Sequence, residues 1–362
     1  MSILFPILLI LLALIVEYFT VTRAFKGLKY GFEINKQAVE CNEEFELETT
    51  IISAKRYPVL HLAISETVPA SMQVDVGATG ARVDLSEPLA RLPRKRISQT
   101  LYLLPRQRIK RTVKATLPAR GRYTVQSVRL TVGDLLGISA QQQEVTLFRE
   151  VVVFPEKTVS PALNDAVGGY MGDVMVRRFI VSDPILTCGF REYTGREPMK
   201  DIAWPQSTRA GRLMVKQYDH TAEPRAAVLL NADCPDAPAA AVESAYSLAR
   251  AVMEKLESMR VRYSFFTNAD TASTAGRWAY IDEGLGERHL FTILEGLGRA
   301  TLSPRFPLQT LIDTALRRCD RINAIVFVTP LMDGRIRAAV RRLESASERR
   351  VLIVESGKEA LS

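Results

Sequence analysis

Between residues 32 and 154, apolar and polar side chains alternate along short segments. A two-residue period is typical of strands that bury one face. In one such segment, one face is formed by Phe45, Leu47 and Thr49 and the other by Glu44, Glu46 and Glu48. Later the apolar register skips a position between Val125 and Val128, which predicts a β-bulge near Gln126 and Ser127. Several short strands separated by Pro and Gly predict an antiparallel β-sandwich over residues 32–154.

From residue 222 the pattern changes to short apolar strands that alternate with longer amphipathic helices. The sequence predicts buried strands at 226–230, 261–267, 324–329 and 351–354, and helices at 237–259, 308–318 and 334–346. The first of these helices has Val242, Ala245, Ala249, Val252 and Leu256 at helical spacing. Strands alternating with helices predict an α/β domain with a mainly parallel sheet over residues 222–356.

The N-terminus is apolar from residue 3 to residue 16 and extends to about residue 21 with one interruption, Glu17. Because about 20 apolar residues can span a bilayer as a helix, residues 1–22 are predicted to be a transmembrane anchor. A cleaved signal peptide is the alternative, but no Lys or Arg precedes the run and no small-x-small site follows it. Arg23, Lys26 and Lys29 then predict a single-pass membrane protein whose soluble domains face the cytoplasm.

The length of 362 residues predicts two folded units besides the anchor. Residues 155–190 are rich in Gly, Pro and Asp and are predicted to be a linker. The four cysteines (Cys41, Cys188, Cys234, Cys319) are widely separated, which favours a reducing compartment over a disulfide scaffold. The three histidines share no helical-face spacing, so a histidine-based metal site is not expected.

An unusual segment follows the linker at residues 191–221. It places Arg191, Tyr193 and Trp204 among charges, whereas core segments are runs of Val, Ile and Leu. With the stretch at residues 119–138, ARGRYTVQSVRLTVGDLLGI, this segment resembles the signature of the bacterial family known as domain of unknown function 58. Arg196 and Glu197 depart from that signature, which has Gly-Asp there, and so does Leu135, where the family has Pro.

The resemblance implies a fold and a role. Members of the family carry a von Willebrand factor A-type domain at the position of the predicted α/β domain. They commonly occur beside MoxR-type AAA+ ATPases and transglutaminase-like membrane proteins. The resemblance therefore implies an adaptor anchored in the bacterial inner membrane that works with a MoxR-type AAA+ ATPase in assembly or remodelling of an envelope complex. Such members usually have two membrane helices near the start, whereas this sequence has one candidate.

Two interpretations of the signature segment stay open. In the first, its polar and aromatic side chains bind a protein partner, since they are of the types that concentrate binding energy at protein interfaces. In the second, they join the two folded domains, with Trp204 buried and Arg–carboxylate pairs fixing the joint. The candidate residues are the same for both and comprise Arg191, Tyr193, Asp201, Trp204, Arg209 and Lys216.

A second candidate site lies at the end of the first strand of the α/β domain. The resemblance places an Asp-x-Ser-x-Ser magnesium motif there, but this chain has Asn231, Asp233 and Pro235 at those positions. Pro has no side-chain oxygen, and a neutral Asn suits a dication poorly. No cofactor is therefore expected. A Mg²⁺-dependent adhesion-type module, in which Asp233 and Asp333 hold the ion, is kept as an alternative.

A basic run is the third feature. From Arg91 to Arg129 there are twelve Lys and Arg residues and no Asp or Glu. The run predicts contact with an anionic membrane surface through Arg94, Lys95, Arg96, Arg106, Arg108, Lys110 and Arg111. A plain solvated face is an equal alternative. Nucleic acid is not expected, because the run has few aromatics and none of the usual binding motifs.

No catalytic motif stands out. The chain has no Gly-x-Ser-x-Gly elbow and no Gly-rich phosphate loop. Cys188 and Cys234 have no His next to them in sequence to activate a thiol. The sequence therefore favours a binding protein over an enzyme, with an uncharacterised hydrolase as a further alternative.

Overall fold

The computed structural model describes residues 22–75, 82–85, 94–133, 139–180, 187–195, 197–218, 224–271, 279–318 and 322–356, together with positions 7, 11, 15 and 18. The chain divides into two compact units. The first comprises Met1–Glu156 with Leu294–Ala300, and the second comprises Lys157–Ile293 with Thr301–Ser362.

The first unit contains two β-sheets. One has the strand order β1-β3-β8-β5 and the other β2-β10-β9-β4-β7-β6. All pairings are antiparallel except that of β2 with β10. The strands are β1 (Leu28–Ile34), β2 (Ala38–Val39), β3 (Phe45–Ser53), β4 (Val59–Pro69), β5 (Gln73–Asp75), β6 (Arg82–Leu85), β7 (Arg94–Leu103), β8 (Arg108–Thr116), β9 (Gly121–Gly133) and β10 (Ala140–Val153).

The register skip in β9 corresponds to an irregularity in its pairing with β10. Thr146 lies opposite Ser127, but the next pair is Arg149 with Val125, so the additional residue belongs to β10. On β9 the buried side changes at this point, since Val125 and Val128 are both buried. The predicted location was therefore close, and the extra residue lies on the partner strand.

A buried polar cluster lies between two apolar clusters of the first unit. One apolar cluster includes Phe45, Leu47, Val68 and Ile97, and the other includes Ile51, Leu62, Ile64 and Leu103. The buried polar cluster consists of Tyr30, Thr49, Glu66, Gln99 and Arg111. Its members come from both sheets, on β1, β3 and β8 in one and on β4 and β7 in the other.

The second unit has a five-stranded sheet of order β15-β14-β13-β16-β17. Its strands pair in parallel except for β15, which is antiparallel to β14. The strands are β13 (Arg225–Leu230), β14 (Arg262–Thr267), β15 (Tyr280–Gly284), β16 (Ala324–Thr329) and β17 (Val351–Glu355). The helices of this part of the sequence are α3 (Ala239–Ser258), α4 (Glu287–Arg299), α5 (Leu308–Arg318) and α6 (Gly334–Ser347). Strand β15 had no counterpart in the sequence prediction.

A helix occupies much of the predicted linker. Helix α1 (Pro161–Ile180) buries Leu163, Val167, Tyr170 and Met171. The Tyr170 hydroxyl donates to the carbonyl of Arg350 at 2.5 Å and accepts from the backbone N–H of Ile325 at 2.9 Å. Residues 161–180 are therefore part of the folded second unit, packed near β16 and β17.

We expect Tyr170→Phe to lower the free energy of unfolding by about 1–3 kcal/mol, because the buried Ile325 N–H would lose its acceptor. Urea titration followed by Trp fluorescence checks this, since both Trp residues belong to the second unit. Tyr102→Phe is the control, because Tyr102 is exposed on β7 of the first unit. Equal effects of the two changes would contradict the anchoring of α1 by Tyr170.

The membrane prediction is wrong. Residues 1–22 fall almost entirely outside the described residues. In the part of the chain that is described, no helix combines the length and the apolar character needed to cross a bilayer. The uninterrupted apolar run at residues 3–16 is shorter than the about 20 residues that a spanning helix needs. The N-terminal transmembrane helix and the single-pass inner-membrane location are therefore withdrawn.

Candidate functional site

The segment that resembles the family signature folds as a small hairpin of its own. Strands β11 (Thr187–Glu192) and β12 (Met214–Tyr218) form a separate two-stranded antiparallel sheet. Between them lie a 3-10 turn, Met199–Asp201, and the short helix α2 (Trp204–Ala210). We call residues 187–218 the signature hairpin.

Helix α2 is fixed to the hairpin through Ser207. The Ser207 hydroxyl donates to the carbonyl of Ala203 at 2.9 Å and accepts from the N–H of Met214 at 2.8 Å. Pro205 stands in the first helical turn, where a missing N–H costs nothing. Gly211 ends the helix in the left-handed region with φ of 65°. The backbone of the helix is therefore held at both ends.

The structure brings the six predicted signature residues into this hairpin. Arg191 lies on β11, Asp201 in the 3-10 turn, Trp204 and Arg209 at the two ends of α2, and Lys216 on β12. Tyr193 follows β11, and its backbone N–H donates to the Leu213 carbonyl at 2.9 Å. Arg196 lies outside the described residues.

Glu197 closes the turn after β11. The Thr194 hydroxyl donates to Glu197 Oε1 at 2.7 Å, the Thr194 N–H donates to Oε2 at 3.0 Å, and Arg191 Nη1 lies 2.5 Å from Oε1. These hydrogen bonds, that of the Thr194 side chain first, lower the pKa of Glu197 to about 2. Glu197 therefore stays ionised and holds Arg191 at neutral pH, although the family has an aspartate in this turn.

Exposed apolar side chains are concentrated in the signature hairpin. Trp204 is 58% exposed and Met199 is 68% exposed. Phe190 and Leu213 are also exposed large apolar residues. The interpretation that needed a buried Trp204 loses its main support, because the indole is mostly accessible.

The charges of the hairpin divide into two groups. Arg191 pairs with Glu197, and Arg212 pairs with Glu192 at 3.2 Å. The other basic side chains have no ion pair among the described residues, and they are Lys200, Arg209 and Lys216. The hairpin therefore carries exposed apolar side chains together with positive charge that the rest of the described structure does not neutralise.

The second candidate site, at the end of β13, is filled by an amide network. Asn231 is completely buried, and its Oδ1 accepts from the N–H of Asp233 and from Asn268 Nδ2, each at 3.0 Å. Its Nδ2 donates to Cys234 Sγ at 3.3 Å and to Thr329 Oγ1 at 3.4 Å. Asn268 Oδ1 accepts from the N–H of Ala232 at 2.7 Å. These contacts join the loops after β13, β14 and β16.

Both carboxylates predicted at this edge have partners within the protein. Asp233 Oδ2 accepts from the N–H of Leu308 at 3.0 Å and lies 3.2 Å from Arg335 Nη1. Asp333 caps helix α6, where its Oδ1 accepts from the N–H of Ile336 at 2.6 Å. Pro235 is exposed and has no side-chain oxygen to offer.

The donor set at this edge does not fit Mg²⁺, which prefers a near-octahedral set of oxygen ligands. Across the described residues, no group of three or more His, Cys, Asp or Glu side chains is close enough to hold a metal ion. Sequence reasoning missed Arg335. The signal available was a basic residue two positions after Asp333, in the first turn of the predicted helix at 334–346.

The cysteine at this edge is not set up as a nucleophile. Burial raises the pKa of the Cys234 thiol. Its sulfur contacts Asn231, Thr329 and the Leu331 carbonyl rather than an imidazole. A reactive thiol needs a lowered pKa and a basic neighbour, so these contacts give no support to a thiol hydrolase.

The basic run does not form one face. Successive residues of a strand point to opposite sides, so Arg111 points inward and is buried while Lys110 and Lys114 are exposed. Lys110 pairs with Glu48 at 2.8 Å and Lys114 with Glu44 at 2.9 Å.

The rest of the predicted surface is also mixed. Arg94 donates to Gln126 at 2.7 Å, Lys95 and Arg96 are half-buried on β7, and Arg106 and Arg108 are exposed. The assignment of Arg111 to a membrane-facing surface is therefore corrected, because its guanidinium is in the core.

A scan against models of protein families and a comparison with curated proteins found no match. Among solved structures, one similar chain is a cohesin module from a Clostridium perfringens family 33 glycoside hydrolase, with 12% identity over 35% of this chain and 96% of that chain and a TM-score of 0.25. The GAE domain of GGA2p from Saccharomyces cerevisiae is 13% identical over 34% of this chain and 88% of that chain, with a TM-score of 0.22. The CARDB domain of PF1109 from Pyrococcus furiosus is 15% identical over 36% of this chain and 96% of that chain, with a TM-score of 0.21. Likenesses at this level carry no argument, and membership of the family named above stays a prediction.

Proposed function

We propose that this chain is an adaptor that binds a protein partner through the signature hairpin. The observation that carries the proposal is the exposure of Trp204 on a hairpin whose backbone is tightly hydrogen-bonded. An exposed Trp side chain offers a large apolar area that a partner can bury. Trp is among the residues that most often dominate binding energy at interfaces.

The partner surface is expected to be apolar with an acidic rim. Trp204 supplies the apolar part on this side. Lys200, Arg209 and Lys216 supply positive charge that has no ion pair in the described structure. Opposite charge on the partner would speed association and fix its orientation. Binding is therefore expected to weaken as the salt concentration rises.

The class of partner comes from the resemblance of the signature. It names a MoxR-type AAA+ ATPase, and a transglutaminase-like protein is the second candidate. In this role the chain would bring the ATPase to a protein complex that the ATPase assembles or remodels. The Mg²⁺-dependent adhesion alternative is not proposed, because the oxygen ligands at the end of β13 are occupied.

The test is binding of the full chain to the purified MoxR-type ATPase of the same organism, measured by biolayer interferometry with and without ATP. We expect Trp204→Ala to weaken binding about 10- to 30-fold, because hot-spot Trp residues contribute roughly 1.4–2 kcal/mol or more. Phe148→Ala is the matched control, since Phe148 is an exposed aromatic residue on β10. Circular dichroism verifies that each variant is folded.

Three outcomes decide the proposal. Loss of binding in Trp204→Ala with normal binding in Phe148→Ala supports both the partner and the hairpin. Binding that Trp204→Ala leaves unchanged removes the hairpin from the proposal. If the wild-type chain binds neither the ATPase nor the transglutaminase-like protein, the adaptor role with these partners is rejected.

A further inference from the structure

We infer that Arg335 supplies, at the carboxyl edge of the five-stranded sheet, the positive charge that a metal ion supplies in A-type domains. The inference concerns this edge alone and does not depend on the proposed partner. It rests on three observations: where the guanidinium lies, which oxygens are already occupied, and what holds the loops together.

The guanidinium of Arg335 lies on the residue expected to be a metal ligand. Arg335 Nη1 is 3.2 Å from Asp233 Oδ2, and Nη2 donates to the Asp233 carbonyl at 2.7 Å. Arg335 Nε is 4.0 Å from Asp333 Oδ2. One guanidinium therefore lies next to both carboxylates that the sequence offered as metal ligands.

The charges at this edge disfavour the binding of a divalent cation. A guanidinium group carries a fixed positive charge. A divalent cation at Asp233 would lie beside this fixed charge and be repelled by it. Asp233 Oδ2 also accepts the N–H of Leu308, and Asp333 Oδ1 accepts the N–H of Ile336. A metal would have to displace hydrogen bonds as well as the arginine.

The loops at this edge are held together without an ion. Asn231 joins the segments after β13, β14 and β16 through Asp233, Asn268 and Thr329. In a site built around a metal ion, carboxylates and hydroxyls from the different loops bind the ion, and the ion holds the loops together. Here a neutral amide links the loops, and Arg335 pairs with Asp233. The edge is therefore assembled in its final form during folding and needs no ion to be added.

Thermal unfolding of the full chain with and without millimolar Mg²⁺ or Mn²⁺ tests the inference. We expect the wild-type Tm to be unaffected by either metal. Arg335→Ala is expected to lower the Tm by roughly 2–4 °C, because Asp233 loses its counter-charge. In that variant Mn²⁺ or Mg²⁺ is expected to restore roughly 2–4 °C, because a cation can then approach the carboxylates. Arg335→Lys is expected to stay unresponsive to metal, since it keeps the charge.

Arg337→Ala is the control, because Arg337 is exposed on the same helix. A metal-dependent rise of Tm in the wild type would overturn the metal independence of the edge. An Arg335→Ala variant that folds but gains no response to metal would overturn the assignment of Arg335 to the cation position. If Arg335→Ala does not fold, Arg335→Gln, which keeps most of the side chain, is measured instead and decides the question by the same two criteria.

Discussion

Replacing Glu66 with Ala is expected to lower the free energy of unfolding of the first unit by about 3–5 kcal/mol, because it leaves Arg111 charged, buried and unpaired. Both side chains are almost fully buried, at 7% and 2% exposure for Arg111 and Glu66. An isolated buried charge is far more costly than the pair is stabilising.

The contacts around Glu66 explain why so much depends on it. Glu66 Oε1 accepts from Thr49 at 2.7 Å and from Tyr30 at 3.0 Å, and Oε2 accepts from Arg111. Arg111 Nη1 donates to Gln99 Oε1 at 2.5 Å, while its Nε is buried with no partner in the described residues. Burial, with the Glu66 carboxylate adjacent, raises the pKa of Tyr30. Removing Glu66 would take an acceptor from Tyr30, Thr49 and Arg111, and Arg111 would be left with neutral partners, Thr49 and Gln99.

Urea titration followed by far-ultraviolet circular dichroism measures the effect. Trp fluorescence serves as an internal control, because both Trp residues belong to the second unit. Lys110→Ala on the same strand removes an exposed ion pair with Glu48, and its cost is expected to be below about 1 kcal/mol. The double variant Glu66→Gln, Arg111→Met is expected to lose less free energy of unfolding than the sum of the losses in the two single variants, Glu66→Gln and Arg111→Met. A loss below about 1 kcal/mol for Glu66→Ala would contradict the buried pair.

Restoring an aspartate at the end of β13 is expected to destabilise the second unit. Asn231→Asp replaces a neutral amide with an ionisable group at a position with no exposed surface. It also removes the donors to Cys234 Sγ and Thr329 Oγ1. We expect a loss of roughly 2–4 kcal/mol at neutral pH, because a carboxylate must be buried without a counter-charge of its own.

The pH dependence of this loss gives a second check. Burial raises the pKa of a carboxyl group in the folded state above its unfolded value of about 3.9. The folded variant then binds the proton more tightly than the unfolded one, so its stability falls as the pH rises through this window. The deficit relative to wild type is therefore expected to shrink as the pH is lowered from neutral toward about 5.

Trp fluorescence during urea titration measures the deficit at each pH. Gln309→Glu makes the same amide-to-acid change at an exposed position of α5 and is expected to be nearly neutral. If Asn231→Asp were stable and its stability rose with Mg²⁺, the metal-independent description of this edge would have to be abandoned.

Some features were predictable because they depend on neighbours in sequence. The alternation from Phe45 to Thr49 lies in β3 with the expected side inward. The helical spacing of Val242, Ala245 and Ala249 lies in α3. Helix α1 could also have been predicted, since Leu163, Val167, Tyr170 and Met171 have helical spacing. Its glycines favoured the linker interpretation, because Gly is unfavourable within helices.

Other features were not predictable because they depend on partners far away in sequence. Arg111 was counted as one more positive charge, but the pleat of β8 turns it toward Glu66, 45 residues earlier. Arg335 approaches Asp233 across 102 residues, and that contact forms only because the first turn of α6 meets the loop after β13 at the sheet edge. Exposure of Trp204 depends on the path of the whole hairpin.

The sequence by itself determined the local periods, and therefore where strands and helices form, because these depend on side chains a few residues apart. It also determined that Pro235 offers no side-chain oxygen to a metal ion, since that follows from the chemistry of one residue. The tertiary structure alone decided which charges are buried, which carboxylates are already paired and which aromatic ring stays in water. Those properties depend on the surroundings of each group, and folding brings those surroundings together from distant parts of the chain.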